Sequence, residues 1–257
     1  MSQIQSEMIT VPGLVLRERF TAGSDKFIDV LTEKYGIIEI CVKGARKITG
    51  RNLAPAMLFS YSEFCLKQRG NMYYIDSAVP IKSFYSVSSD IGSFALASYM
   101  AEVLSYSAVC EQTGNDVMRL VLNIMYYLAE EKRSVKLLKA IFELRFMAET
   151  GFMPDIIACK NCAVYESDAM YFLIDEGIMY CGNCYAASSD IAAVKMSRAV
   201  LCALRHIMLS DFEKLFLFDL KNESLEILSG LAEIYLTSQL GRNFKTLDFY
   251  KSVIKNN

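Results

Sequence analysis

Four cysteines carry the clearest chemistry in this chain. Cys159 and Cys162 form one C-x2-C pair, Cys181 and Cys184 form a second, and eighteen residues separate them. Two such pairs at this separation are the pattern of a four-thiolate zinc site. Zn²⁺ takes four tetrahedral ligands, and soft anionic thiolates suit it. A two-residue spacer lets one tight turn present two sulfurs to one ion, and Gly182 and Asn183 are residue types that tolerate the positive φ such a turn often requires. Four protein ligands leave no position for water, so the expected Zn²⁺ is structural and not catalytic. Disulfides fit less well, because the N-terminus has no secretory signal layout and other cysteines are scattered. A thioredoxin-like redox pair fits two metal-spaced pairs poorly.

A second constellation is basic. Lys43, Arg46, Lys47 and Arg51 lie with Gly44 and Gly50 in nine residues that contain no acid. Glycine amides flanked by cations suit phosphate oxygens. Tyr73 and Tyr74 follow on a nearby strand, and one of these adjacent residues is expected to point inward and the other outward. Catalytic candidates are few. His206 is the one histidine, set in a helical apolar pattern, and no H-x-E motif accompanies it. Cys41, Cys65, Cys110 and Cys202 sit in apolar runs and read as small core residues.

These residues need elements to hold them. Runs at 11–20, 27–32, 37–42, 61–67 and 72–79 read as five short strands, with one longer connection after the third, which predicts a small barrel. An OB-like barrel is the natural candidate and an SH3-like barrel the alternative. From residue 90 the period becomes helical. Asp90, Ser134 and Ser197 read as helix caps, Thr113-Gly114-Asn115 as a break, and Gly151 and Gly241 as helix ends. The broad apolar faces predict one helical bundle. Residues 170–174 and 177–180 read as two strands that carry the cysteine pairs as a ribbon. The expected class is therefore α+β and multidomain, with an OB-fold DNA-binding domain at 1–82. A helical bundle domain at 83–257 would contain the inserted four-cysteine zinc ribbon at 157–187.

The 257 residues are 53% hydrophobic with only four prolines, which argues for packed domains without long disordered linkers. No apolar run is long enough to span a membrane, and a cytoplasmic protein is expected. The net charge of −2 hides an asymmetry. Residues 1–82 hold eleven basic and eight acidic side chains, a net +3, so any polyanion surface belongs to the N-terminal third.

The order of these pieces resembles the RecO family of bacterial recombination mediators. The resemblance is carried by Leu31-Thr32 to Gly36, Lys43-Gly44-Ala45-Arg46-Lys47, Leu53 to Pro55, Phe142-Glu143-Leu144-Arg145 to Gly151, Pro154, the four cysteines and Leu240-Gly241-Arg242 to Lys245-Thr246. It implies a nucleoid-associated protein of the RecF pathway of DNA repair and recombination. Such a protein binds single- and double-stranded DNA, anneals complementary strands, and assists recombinase loading with RecR and the single-stranded DNA-binding protein. Lys43, Arg46, Lys47 and Arg51 match that family's DNA-binding loop, and Cys159, Cys162, Cys181 and Cys184 its metal ligands. Thr246-Leu247 departs from the Ser-Arg usual there. Two other functions compete with this noncatalytic mediator. One is a protein-interaction or regulatory zinc-ribbon module without annealing activity. The other is a zinc-dependent nucleic-acid enzyme, which would need an open metal position and the missing H-x-E motif.

Overall fold

The computed structural model describes residues 8–45, 53–70, 72–107, 111–186 and 193–255. The chain forms two compact units, Met1–Glu130 with Phe244–Asn257 and Glu131–Asn243. This division differs from the expected 1–82 and 83–257. The helices expected to share one bundle are divided between the two units.

In the first unit, β1 (Met8–Phe20), β2 (Lys26–Thr32), β3 (Gly36–Val42), β4 (Ser60–Arg69) and β5 (Met72–Ser83) close a barrel in the order β1-β2-β3-β5-β4. Every pairing is antiparallel except β3 with β5. This is the Greek-key order of an OB fold. Alternation along each strand fills the interior: Val11, Val15, Ile28, Val30, Ile38, Ile40, Phe64 and Leu66 form its core. Leu14 and Leu31, paired across β1 and β2, lie on the opposite pleat yet are fully buried.

Helices α1 (Ile91–Tyr106), α2 (Glu111–Ala129) and α7 (Lys245–Lys255) complete this unit, and α1 and α2 touch β1 and β2. Asp90 caps α1 by accepting the Ser93 amide at 2.7 Å. That hydrogen bond holds its carboxyl below the usual range. Phe244 stands edge-on to Tyr99 and Tyr106 of α1, with ring centres 5.9 and 6.0 Å apart. Glu102 of α1 accepts from both the amide and the hydroxyl of Thr246, at 2.9 and 2.6 Å, and so caps α7. Thr113-Gly114-Asn115 does not break a helix; it lies inside α2. The glycine is there for close packing, since a Cβ at Gly114 would stand 2.0 Å from the Glu33 carbonyl oxygen.

The second unit holds α3 (Val135–Glu149), β6 (Met170–Leu173), β7 (Ile178–Cys181), the short α4 (Gly182–Ala186), β8 (Ala193–Met196), α5 (Arg198–Leu209) and α6 (Asn222–Leu240). Ser134 and Ser197 cap α3 and α5, and Gly151 and Gly241 follow α3 and α6 in left-handed conformations. The Phe152 amide donates back to the Met147 carbonyl at 2.8 Å, the long bond of a Schellman ending. The Glu143 and Arg145 of the family-like motif are buried and structural. Lys139 bonds Glu143 at 2.8 Å and Glu233 at 3.0 Å between α3 and α6. Arg145 Nη1 donates to the carbonyls of Ile207, Met208 and Ser210 at the end of α5. The ribbon has three strands in the order β7-β6-β8, one more than the sequence reading expects.

Gly114→Ala tests the packing of α2 on the barrel. The added methyl meets backbone, which yields little, so stability should fall by about 1–3 kcal/mol. Chemical denaturation followed by circular dichroism reads the shift, and an unchanged midpoint would contradict the close approach.

Candidate functional site

The four cysteines converge. Their Sγ atoms all lie within 4.8 Å of one another, and Cys162 and Cys181 are 3.7 Å apart. A tetrahedron with metal–sulfur bonds of about 2.3 Å has edges of about 3.8 Å, which the Cys162–Cys181 pair matches, and the whole set lies within about 1 Å of that spacing. Cys181 ends β7 and Cys184 lies one turn on in α4. Cys159 and Cys162 sit on a knuckle closed by hydrogen bonds from the Cys159 amide to the Val164 carbonyl and from the Ala163 amide to the Cys159 carbonyl, each 2.9 Å. The left-handed residue is Ala163, φ 58°, and neither Gly182 nor Asn183 has positive φ, because they open a helical turn instead.

The sulfurs are electrostatically unequal. Burial pushes the Cys159 thiol up, but amides of Cys162, Cys181 and Asn161 more than offset this and bring it to about 6. Asn161 donates to the Cys184 sulfur and pulls that thiol down, yet the neighbouring sulfurs of Cys181 and Cys162 raise it to about 12. Four thiolates at this spacing repel one another, and a bound cation would remove that repulsion. The donor set therefore fits a closed, all-sulfur metal site. Of the remaining cysteines, Cys41 is buried and Cys65 half-buried, while Cys110 lies outside the described residues. Cys202 is exposed and not a core residue, because α5 turns its neighbours Leu201 and Ala203 inward instead.

Arg205 of α5 secures the knuckle on both sides. Its Nε donates to the Ile156 carbonyl at 2.9 Å, and its Nη2 donates to Ile157 and Tyr165 at 2.8 and 2.6 Å. The guanidinium also lies 3.9 Å from the centre of the Tyr165 ring. Arg198, at the start of the same helix, pairs with Glu166 at 2.6 Å. Sequence reading misses both arginines, whose partners are backbone and a distant acid. His206 is structural: its Nε2 lies 2.9 Å from the Lys214 carbonyl and its ring rests on Phe218.

On the barrel, Lys43 is described, whereas Arg46, Lys47 and Arg51 lie outside the described residues. Both ends of their loop are anchored, because Ala45 and Ala56 belong to the barrel core. The Gly44 amide, expected to be available to phosphate, donates to Asp25 at 2.8 Å instead. Tyr73 packs against the core. Tyr74 takes the outward position, with Lys43 Nζ 5.0 Å and Arg69 Cζ 5.8 Å from its ring centre. Arg69 has no role in the sequence reading, where it falls between the runs at 61–67 and 72–79.

These two cations differ from their neighbours. On β1–β3 the acids Asp29 and Glu39 stand directly opposite each other, and Arg19 bridges them while Arg17 approaches Asp29. Lys26 is buried against Glu18, and Lys67 pairs with Asp76. Among the described residues Lys43 and Arg69 have no carboxylate partner, so their charge is uncompensated.

Two family models match consecutive parts of the chain. The family model described as "Recombination protein O N terminal" matches residues 6–84, and "Recombination protein O C terminal" matches residues 88–248. The chain belongs to the RecO family. Similar RecO proteins are named "DNA repair protein RecO". That of Acetivibrio thermocellus is 29% identical, over 94% of this chain and 95% of the relative. Those of Alkaliphilus metalliredigens and Caldicellulosiruptor bescii are 26% and 25% identical, each over 96% of this chain and at least 99% of the relative. RecO membership places the chain in DNA repair and among recombination proteins that are not enzymes. No described helix is long and apolar enough to cross a membrane. The Thr246-Leu247 departure from the RecO pattern has a structural counterpart, since Leu247 is buried beside the capped Thr246.

Arg205→Ala should strip three carbonyls of their donor and cost about 2–3 kcal/mol in the second unit. Chelator should then extract metal loaded onto the four cysteines faster than from the parent protein, as read by release into a chromophoric indicator. Equal release rates would mean that the knuckle holds itself.

Proposed function

We propose that this RecO-family chain is a noncatalytic recombination mediator. It binds single- and double-stranded DNA through its barrel, anneals complementary strands, and assists recombinase loading together with RecR and the single-stranded DNA-binding protein. In this reading it acts on the cytoplasmic nucleoid. The observation that carries the DNA contact is the pair Lys43 and Arg69, uncompensated beside Tyr74 on an OB barrel. Lys43 opens the loop that also carries Arg46, Lys47 and Arg51. OB folds bind single strands through a positively charged groove and exposed aromatics. Annealing follows from charge neutralisation. Cations bring two polyanions together, and exposed bases then pair without help from the protein.

The metal in this reading is Zn²⁺, held by Cys159, Cys162, Cys181 and Cys184. Its part is to fold the ribbon. All four ligands are thiolates, so no site remains for an activated water, and the zinc-enzyme alternative has no chemistry to use. An interaction-only module would leave the barrel's bare cations without a purpose.

Protein purified without chelator should contain about one zinc per chain. Cys181→Ser should lose it and loosen the second unit, because metal binding is coupled to local folding. Elemental analysis that finds no zinc in the parent protein would remove this part of the reading.

Salt-dependent titration with single-stranded oligonucleotides tests the DNA surface. Each phosphate contact contributes about 0.7 to the log–log slope, so Lys43→Ala with Arg69→Ala should flatten it by about 1.4. The loss should be similar for different sequences, since phosphate contacts do not read bases. Arg17→Ala should leave the slope unchanged, because Arg17 already faces Asp29. An unaltered slope in the double variant would move the DNA surface elsewhere. Pull-downs with RecR and with the single-stranded DNA-binding protein test those two partners, and failure to retain either would remove it.

A further inference from the structure

We infer that Tyr74 is a stacking site for one unpaired base of a single DNA strand, with Lys43 and Arg69 occupying its ring until phosphates draw them away. The inference rests on the DNA-binding reading above and specifies how one strand is told from two.

Several observations converge on this ring. The alternation of β5 commits Tyr73 to the core and Tyr74 to the outer surface. Tyr74 sits where three strands meet: it pairs with Cys41 on β3 and with Lys67 on β4. Lys43 leaves β3 two residues beyond Cys41, and Arg69 ends β4 two residues beyond Lys67. Both therefore arrive at the same ring from different strands. Both are exposed, and neither is held by a carboxylate among the described residues.

Tyr74 is half-buried on the outer surface, and a cation over the open part of such a ring is held weakly and exchanges readily. A phosphate offers that cation a full negative charge, which a ring face cannot match. An approaching strand would therefore exchange two cation–ring contacts for two cation–phosphate contacts. The exchange uncovers an aromatic face between the two phosphate positions, where a base of the same strand can lie. Base–aromatic stacking tolerates any base, because every base has a π-face. A base within a duplex is already stacked and paired, so it reaches the ring only by leaving the helix. The cations serve both DNA forms, whereas the ring favours the single strand.

The chain contains no tryptophan, so Tyr74→Trp provides a single fluorophore at the site itself. Its emission should be quenched by an oligothymidine strand and unchanged by a duplex of equal length, with binding of each followed separately by anisotropy of a labelled DNA. Tyr74→Ala should weaken single-strand binding by about 5- to 150-fold. Duplex binding should stay within about twofold, and Tyr74→Phe should behave as the parent does. Unchanged tryptophan emission on a bound single strand would overturn the inference, as would equal losses on both DNA forms in Tyr74→Ala. Failure of the parent protein to bind DNA at all is a separate result that removes the underlying reading instead.

Discussion

The barrel closes through a short parallel contact. Ile40 meets Tyr73 and Cys41 meets Tyr74, and these are the registered pairs that join β3 to β5. Everything at the candidate DNA surface depends on this seam. It fixes which of two adjacent tyrosines is core and which is surface, because a register slip of one residue exchanges the two faces of a strand. It also brings the exit of β3 and the end of β4 to one place, although Lys43 and Arg69 are far apart in sequence. On β2 and β3 the opposed Asp29 and Glu39 are bridged by Arg19, whereas beside Tyr74 Lys67 is paired with Asp76 and Lys43 and Arg69 have no carboxylate partner among the described residues.

The ribbon is built on a different principle. Its strands are four residues each, too short to enclose a core of their own. Small units of this kind depend on staples. Here one staple is the sulfur cluster and the other is Arg205, which reaches three carbonyls on either side of the first cysteine pair. The positive φ of Ala163, a residue with a Cβ in a conformation that favours glycine, shows the knuckle held in place by its surroundings.

Much of this is written locally in the chain. The five barrel strands are legible because inward and outward residues alternate, and the caps Asp90, Ser134 and Ser197 because their side chains serve nearby amides. The clustering of the four cysteines is legible because two C-x2-C pairs at this spacing are the pattern of a four-thiolate site. What is not legible depends on partners distant in sequence. Gly114 looks like a breaker until Glu33 is seen against it. Arg69 falls between two strand-like runs until three strands are in register. Residues 193–196 are too few to show a period, and only the ladder with β6 makes them a strand. The grouping of α7 with the barrel rests on Phe244 meeting Tyr99 and Tyr106, a contact that no local pattern announces.

The first unit is made from both ends of the sequence, with Glu131–Asn243 as one continuous stretch between them. On the ribosome this sets an order of events. At about 5–20 residues per second, roughly 6–25 seconds pass between synthesis of α2 and synthesis of α7. During that interval the barrel can close, but α1 presents Tyr99 and its neighbours without the helix that covers them. The unit that carries the four-cysteine cluster has already been synthesised by then. The nascent chain therefore carries an exposed apolar stripe while the intervening unit is being made, and α7, which covers it, is made only afterwards.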